Sequence, residues 1–139
     1  MTGKFTKIGA KGETLADDAT EWVAVLDKAT ALIWTVKETK RLPWEKAQAA
    51  VAKLDTAGFK DWRLPTVEEL FLLADRTRVS PAIDTAYFPD CKSDWYWTST
   101  PYASSPGGCA WYVGFSYGSA FWGYHDDDSF VRAVRASQS

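Results

Sequence analysis

The sequence predicts one α+β domain, and two observations support that prediction. Two apolar, β-prone runs and two helical patterns lie in the first half of the chain, whereas the other strand candidates lie in its C-terminal third. At 139 residues the chain is long enough to bury one sizeable core and too short for several domains. We therefore expect a leading hairpin, two helices and a mainly antiparallel C-terminal sheet.

The N-terminal part contains the predicted hairpin. Residues 1–20 are polar, and we interpret them as an extended or loosely packed lead-in to the same domain, which continues over 21–139. The runs 21–26 and 31–36 are apolar and rich in residues that favour strands. Because the polar turn 27–30 separates them, an antiparallel hairpin is the expected structure.

Two amphipathic helices are predicted in the middle of the chain. Pro43 suits a helix start, and apolar residues recur at three- and four-residue spacing from Trp44 until Gly58. The second helix follows Thr66, whose hydroxyl can accept a hydrogen bond from the amide of Glu69 while the Glu69 carboxylate reaches back. This reciprocal pattern is typical of a helix N-terminus.

The C-terminal third contains three strand candidates, at 95–100, 110–117 and 130–135. The second of them alternates cleanly between two faces, as a strand exposed on one side does. Two loops are expected between the strands, at 101–108 and 118–129, and both carry aromatic residues in a turn-forming context.

The C-terminal third is also unusual in composition. The chain has 21 aromatic side chains, and 14 of them lie between Tyr87 and Phe130. Residues 93–131 contain four aspartates and no lysine or arginine. Because lysine and arginine supply most of the affinity for phosphate backbones and anionic lipids, a nucleic-acid or anionic-membrane partner is not expected.

The chain shows no segment for membrane insertion. No run approaches the roughly 18 to 20 apolar residues that a membrane span needs. No signal peptide is visible at the N-terminus, so a cytoplasmic or virion-associated location is favoured.

The aromatic residues of the predicted loops are candidates for a binding surface. Rigid aromatic side chains with serine, glycine and aspartate between them offer contact area at low entropic cost, and sugar rings also stack on them. The alternative is a sheet whose outer face packs on its own N-terminal segment. We expect binding, because exposed aromatic patches usually contact partners. The candidate ligand-binding residues are Tyr102, Tyr112, Ser116, Tyr117, Ser119, Phe121, Trp122, Tyr124, His125, Asp126, Asp127 and Asp128.

Other candidate chemistry is weaker. The aspartates at 126–128 offer oxygen ligands for calcium, but their spacing matches no EF-hand loop, and solvated side chains are the simpler interpretation. His125 is the only histidine, so a general-base role competes with a surface-contact role. Cys91 and Cys109 can form a bridge, a redox pair or two free thiols, and their spacing does not favour redox catalysis. No cofactor is expected.

The hexapeptide Asp61-Trp62-Arg63-Leu64-Pro65-Thr66 places a guanidinium before the capped helix. An anion site at Arg63 is one interpretation. The structural interpretation is stronger, because a partly buried arginine can donate to loop carbonyls and a nearby carboxylate and so fix the start of the helix.

Several motifs together resemble a known family. They are Glu21-Trp22, Asp27-x-x-Thr30, Leu32-Ile33-Trp34, Asp61-Trp62-Arg63-Leu64-Pro65-Thr66-x-x-Glu69-Leu70, Phe88-Pro89, Tyr96-Trp97-Thr98-Ser99-Thr100 and Val131-Arg132-x-Val134-Arg135. In these motifs the chain resembles the Lcl C-terminal domain family of bacterial and phage proteins, from about Phe5 to Arg135. The resemblance implies a C-type-lectin-like fold in the variant shared with formylglycine-generating enzymes. It also implies that the structural residues include Trp62, Arg63, Thr66, Glu69, Arg132 and Arg135.

The resemblance implies little about activity, because fold and function separate readily. Some members resemble adhesins for sulfated polysaccharide, and others resemble proteins diversified by phage retroelements. In this chain Ala31 replaces a turn glycine and Ala133 replaces a strand cysteine. The paired catalytic cysteines of formylglycine-generating enzymes and the calcium motifs of animal lectins have no counterpart. Sulfated polysaccharide requires a basic patch, which 93–131 lacks.

The expected function is therefore recognition rather than catalysis. We expect a non-enzymatic module that binds a host protein or a neutral glycan, and a phage or prophage variable protein is its narrower form. The alternatives are an inhibitor of a host protein and an uncharacterised enzyme that uses His125.

Overall fold

A computed structural model describes residues 4–137, which form two antiparallel sheets and two α-helices. One sheet has four strands in the order β1-β2-β3-β7, and the other has three in the order β4-β5-β6. This arrangement confirms the predicted α+β class. The strands are β1 Phe5–Ile8, β2 Ala24–Asp27, β3 Leu32–Thr35, β4 Trp95–Pro101, β5 Cys109–Gly114, β6 Ser119–Tyr124 and β7 Val134–Ala136, and the helices are α1 Trp44–Ala52 and α2 Val67–Leu73.

The first sheet contains the predicted hairpin, formed by β2 and β3. Its turn places Ala31 at φ 61°, the left-handed conformation that glycine adopts more readily. Of the two interpretations of the lead-in, extended or loosely packed, the first holds for β1, which pairs with β2 and buries Phe5 and Ile8. Residues 1–3 of that lead-in lie outside the described residues.

Both helices begin near the predicted positions. α1 starts at Trp44, directly after Pro43, and ends at Ala52, with a short 3-10 turn at Thr56–Gly58. α2 has the predicted capping box, in which Thr66 accepts from the Glu69 amide and Glu69 accepts from the Thr66 amide. No helix within residues 4–137 is long and apolar enough to cross a membrane.

The second sheet differs from the prediction in its third strand. The segment expected as a loop, 118–129, contains β6, which pairs with β5 over Ser119–Tyr124. The segment expected as the third strand, 130–135, instead leads into β7, which pairs with β3 of the first sheet. Glycine and serine are uncommon in strands, so their presence in β6 favoured the prediction of a loop. The partner of the three-residue strand β7 depends on packing against residues that are distant in sequence.

The second sheet lies between two hydrophobic clusters. On one face Tyr96 and Val113 pack with Leu70 of α2, and on the other face Trp97 and Ala110 pack with Val51 of α1. Both faces are therefore covered near β4 and the adjoining part of β5. The sheet is less covered toward β6, which is one of its two outer strands.

Candidate recognition surface

A continuous set of aromatic rings wraps around the outer strand of the second sheet. We call it the aromatic belt, and it comprises Trp95, Tyr102, Trp111, Tyr112, Phe121, Trp122 and Tyr124. Each ring of the belt contacts at least one other ring. The distances between ring centroids are 4.4 Å for Trp95–Tyr112, 6.3 Å for Trp95–Phe121, 5.6 Å for Phe121–Trp122, 5.1 Å for Trp122–Tyr102, 5.5 Å for Trp122–Tyr124 and 5.6 Å for Tyr102–Trp111.

Strand register and two glycines create this arrangement. Trp111 pairs with Trp122, and Tyr112 pairs with Phe121, so large aromatic residues lie opposite each other across β5 and β6 on both faces. A Cβ at Gly123 would lie 2.3 Å from the ring of Tyr112, and one at Gly114 would lie 2.9 Å from the ring of Trp95. The glycines thus let both rings lie against the backbone of the sheet.

The belt presents a solvent-exposed portion on β6. Phe121 is 51% exposed and Tyr124 is 59% exposed, although both are large. The other belt members are partly buried, because they stack on one another and on the sheet. The structure therefore brings most of the predicted binding aromatics together, and Phe121, Trp122 and Tyr124 lie on a strand rather than on the predicted loop.

The remaining candidates at the hairpin connection occupy a separate place. Tyr117 is 70% exposed in the turn between β5 and β6. Ser119 is exposed at the start of β6, whereas the Ser116 hydroxyl donates to the Ser93 carbonyl at 3.1 Å. These three residues lie at the opposite end of β6 from Tyr124.

The three aspartates 126–128 form an exposed turn directly after β6. The Tyr124 amide donates to the Asp127 carboxylate at 3.2 Å, which closes the turn. None of the three aspartates forms an ion pair with a residue of the described chain. Burial, and then the carboxylates of Asp127 and Asp94, raise the pKa of Tyr112. The aromatic belt therefore carries negative charge beside it.

No group of three or more His, Cys, Asp or Glu side chains within residues 4–137 is arranged to hold a metal ion. The three aspartates of the turn are therefore not part of such a group.

His125 lies against the first helix. Its ring stacks on Trp44, with centroids 4.1 Å apart and planes 16° apart. Its backbone carbonyl accepts from the Trp44 amide at 3.0 Å. Within the described chain no carboxylate forms an ion pair with His125.

Arg132 occupies the core between the two sheets. It is 0% exposed and donates to the carbonyls of Thr35 at 2.6 Å and Val36 at 2.9 Å. It also donates to the Glu38 carboxylate at 2.7 Å, and its guanidinium lies 4.8 Å from the Phe88 ring centroid. These contacts join the chain end to the first sheet.

The other predicted structural residues join the hexapeptide to the rest of the fold. Arg135 donates to the Asp61 carboxylate at 2.6 and 3.1 Å. Arg63 donates to both Glu69 oxygens at 2.8 and 2.9 Å, although its side chain is more exposed than expected, at 45%. The buried Trp62 donates to the Thr56 carbonyl at 3.1 Å.

The two cysteines are separate, buried free thiols. Of the three alternatives open at the sequence level, the structure has the third. Burial raises the pKa of the Cys91 thiol, so it is held in the unreactive protonated form.

Three contributors to the surface were missed by the sequence interpretation. Trp95 was assigned only to a strand, and Gly114 and Gly123 were not recognised as the positions on which rings lie. Trp95 and Trp97 are two residues apart and therefore share one face of β4. Since Trp97 pairs with Tyr112, this spacing is the sequence signal that would have placed Trp95 beside Tyr112.

The two sheets and two helices define a sheet-rich α+β domain that fits a C-type-lectin-like fold. The family model for the Lcl C-terminal domain matches residues 23–135. The chain therefore belongs to the Lcl C-terminal domain family, as its motifs indicated. No curated protein matches this chain.

Proposed function

We propose that the protein is a recognition module that binds a partner protein or a neutral glycan through the aromatic belt and the acidic turn 126–128. The observation that supports this most is the exposure of Phe121 and Tyr124 within a continuous set of rings. Large exposed aromatics that are rigidly supported are costly to leave in water and are the usual anchors of binding surfaces.

The charge of this surface limits the classes of partner that it can bind. The acidic turn follows β6, and residues 93–131 provide no positive side chain. Such a surface repels phosphate and sulfate groups and attracts neutral or positively charged ones. Nucleic acid and sulfated polysaccharide are therefore poor partners for this surface.

The test is binding to paired glycan and peptide arrays. Wild-type protein is compared with a Phe121→Ser/Tyr124→Ser double variant, and Val79→Ser serves as the control because Val79 is 62% exposed but lies outside the belt. We expect the double variant to lose binding with little change in melting temperature, since exposed side chains contribute little to stability. Retained binding by the double variant, or no binding by wild type on either array, would contradict the proposal.

A narrower form of the proposal is a phage or prophage variable protein. In this form the expected positions of diversification are Tyr112, Ser116, Tyr117, Ser119 and Tyr124. Tyr117, Ser119 and Tyr124 are exposed, which suits variation, whereas Tyr112 stacks on Trp95 and is constrained. We expect the codons at these positions to be rich in adenine, to vary between related genes and to lie near a reverse-transcriptase gene. Invariant codons without a nearby template repeat would exclude this form.

A further inference from the structure

The outer edge of β6 differs from the other three sheet edges. Each of the other outer strands is bridged by a backbone segment that lies beside it, which is a common way to protect a sheet edge. No such segment bridges β6 within the described residues. The bridges at the other edges include Leu15 N–H to Lys7 O at 2.9 Å, Trp97 N–H to Phe130 O at 3.0 Å, Ser99 N–H to Pro65 O at 2.7 Å and Arg63 N–H to Val134 O at 3.0 Å.

Register shows which groups of β6 point outward. The His125 amide donates to the Gly108 carbonyl at 2.8 Å, so every second residue back from His125 also faces β5. The backbone groups of Ala120 and Trp122 therefore point away from the sheet, and nothing in the described chain bonds to them. Tyr124 also points outward, but the acidic turn occupies its amide and carbonyl.

We infer that an extended, basic peptide segment of a partner protein adds a strand to the free edge of β6, beside the aromatic belt. This inference rests on the proposed function and names the partner for it. Alternating backbone donors and acceptors at a fixed spacing match another extended peptide, and this mode of recognition takes its affinity from main-chain hydrogen bonds. A glycan has no matching repeat of donors and acceptors along such an edge.

The basic character of the peptide follows from the side chains that flank the edge. Phe121 and Tyr124 are the exposed rings of the belt, and guanidinium and ammonium groups stack favourably on aromatic ring faces. The acidic turn lies at one end of β6 and has no ion pair within residues 4–137. The nearby cations are engaged, since Arg41 pairs with Asp94 and Arg76 donates to the Gly118 carbonyl.

The probe is a synthetic peptide of about ten residues that alternates arginine and threonine, which favours an extended chain. It is compared with a peptide in which glutamate replaces arginine. It is also compared with two versions in which every second amide is N-methylated, one in each frame. Only one frame removes the donors that face β6, so the other frame is its matched control. Binding is measured by fluorescence anisotropy at low salt.

We expect the basic peptide to bind, the glutamate peptide not to bind, and one methylated frame to bind at least about tenfold more weakly than the other. The Ala120→Pro variant should also bind the parent peptide at least about tenfold more weakly, because proline is tolerated at an outward edge position but removes its donor. Ala120→Val is the matched control and should bind as wild type. If Ala120→Pro fails to fold, the two methylated frames still decide the outcome.

Several results would overturn the inference. They are failure of the basic peptide to bind, equal binding of the two methylated frames, and self-association of the free chain that Ala120→Pro abolishes. The last result would make a second copy of the chain the occupant of the edge. A different result would overturn the inference but leave the proposed function standing. In that case a neutral glycan binds to wild type and to Ala120→Pro, but it does not bind to the Phe121→Ser/Tyr124→Ser variant.

Discussion

The two sheets use their charged side chains in opposite ways. Around the first sheet the arginines are paired inside the molecule, as with Arg132 and Glu38 or Arg135 and Asp61. At the outer part of the second sheet the acidic turn 126–128 forms no ion pair in the described chain. The first region therefore holds the fold together, whereas the second leaves its charge and aromatic area exposed.

The edges of the two sheets differ in the same direction. Both outer strands of the first sheet, β1 and β7, are bridged by neighbouring backbone, whereas β6 of the second sheet is open at its centre. A free strand edge with exposed aromatics promotes association with other chains. Because the outer strands of the first sheet are bridged, the open edge of β6 favours a role in binding.

The largest expected effect breaks the first region at its centre. Arg132→Met leaves the carboxylate of Glu38 buried without its cation, and the expected loss in the free energy of unfolding is about 3–5 kcal/mol. Arg63→Met is the control, because the exposed pair with Glu69 should cost about 1 kcal/mol or less. Urea denaturation measures both. Equal losses would show that the buried arginine does not anchor the fold.

A second prediction breaks the aromatic belt from within. Gly123→Ala forces a methyl group into the ring of Tyr112, and overpacking of this kind typically costs about 1–3 kcal/mol. Gly107→Ala is the matched control, since a Cβ there meets nothing within 4 Å. Near-ultraviolet circular dichroism should change for the first variant only. An unchanged spectrum for Gly123→Ala would mean that the rings do not lie on the strand.

The third prediction concerns acid sensitivity of the structural region. Hydrogen bonds from Arg63 lower the pKa of Glu69 below its ordinary value of 4.5, and hydrogen bonds from Arg135 lower the pKa of Asp61 below 3.8. Because a lowered pKa in the folded state stabilises it, this contribution is fully present above the ordinary values and is lost as pH falls through the lowered ones.

The matching experiment compares wild type with Glu69→Gln, which keeps an N-terminal cap but carries no charge. The urea midpoint is measured from about pH 6 to about pH 2.5. Wild type should lose more stability over this range than the variant does. Parallel curves would contradict the assigned pKa shift.

The smallest effect concerns the hairpin turn of the first sheet. Ala31→Gly relieves a left-handed alanine at φ 61°, which costs about 1–2 kcal/mol, but it also increases the entropy of the unfolded chain. The net expectation is a stabilisation of about 0.5–1 kcal/mol. Ala29→Gly, in the same turn without a positive φ, should destabilise instead. Thermal unfolding distinguishes the two, and destabilisation by both would contradict the assigned turn conformation.

Local signals allowed part of the fold to be predicted. The β2–β3 hairpin and the capping box at Thr66 depend on residues close in sequence, and both were found where expected. The pairing of β7 with β3 and the strand character of β6 depend on distant partners, so sequence patterns could not reveal them.

The candidate surface was predictable in composition but not in geometry. An excess of aromatics in the C-terminal third indicated that some must be exposed, and Tyr117, Phe121 and Tyr124 are. The glycines beneath Tyr112 and Trp95 acquire their role only when strands align, which needs the register of the folded sheet.

A nuclear magnetic resonance titration tests whether the β6 edge with its aromatic belt is a binding surface. The arginine–threonine peptide is added to isotope-labelled protein, and amide and indole signals are followed. We expect the largest shifts at the amides of Ala120 and Trp122 and at the indole of Trp122. Shifts confined to the first sheet, or no shifts at β6 while the peptide binds, would contradict it.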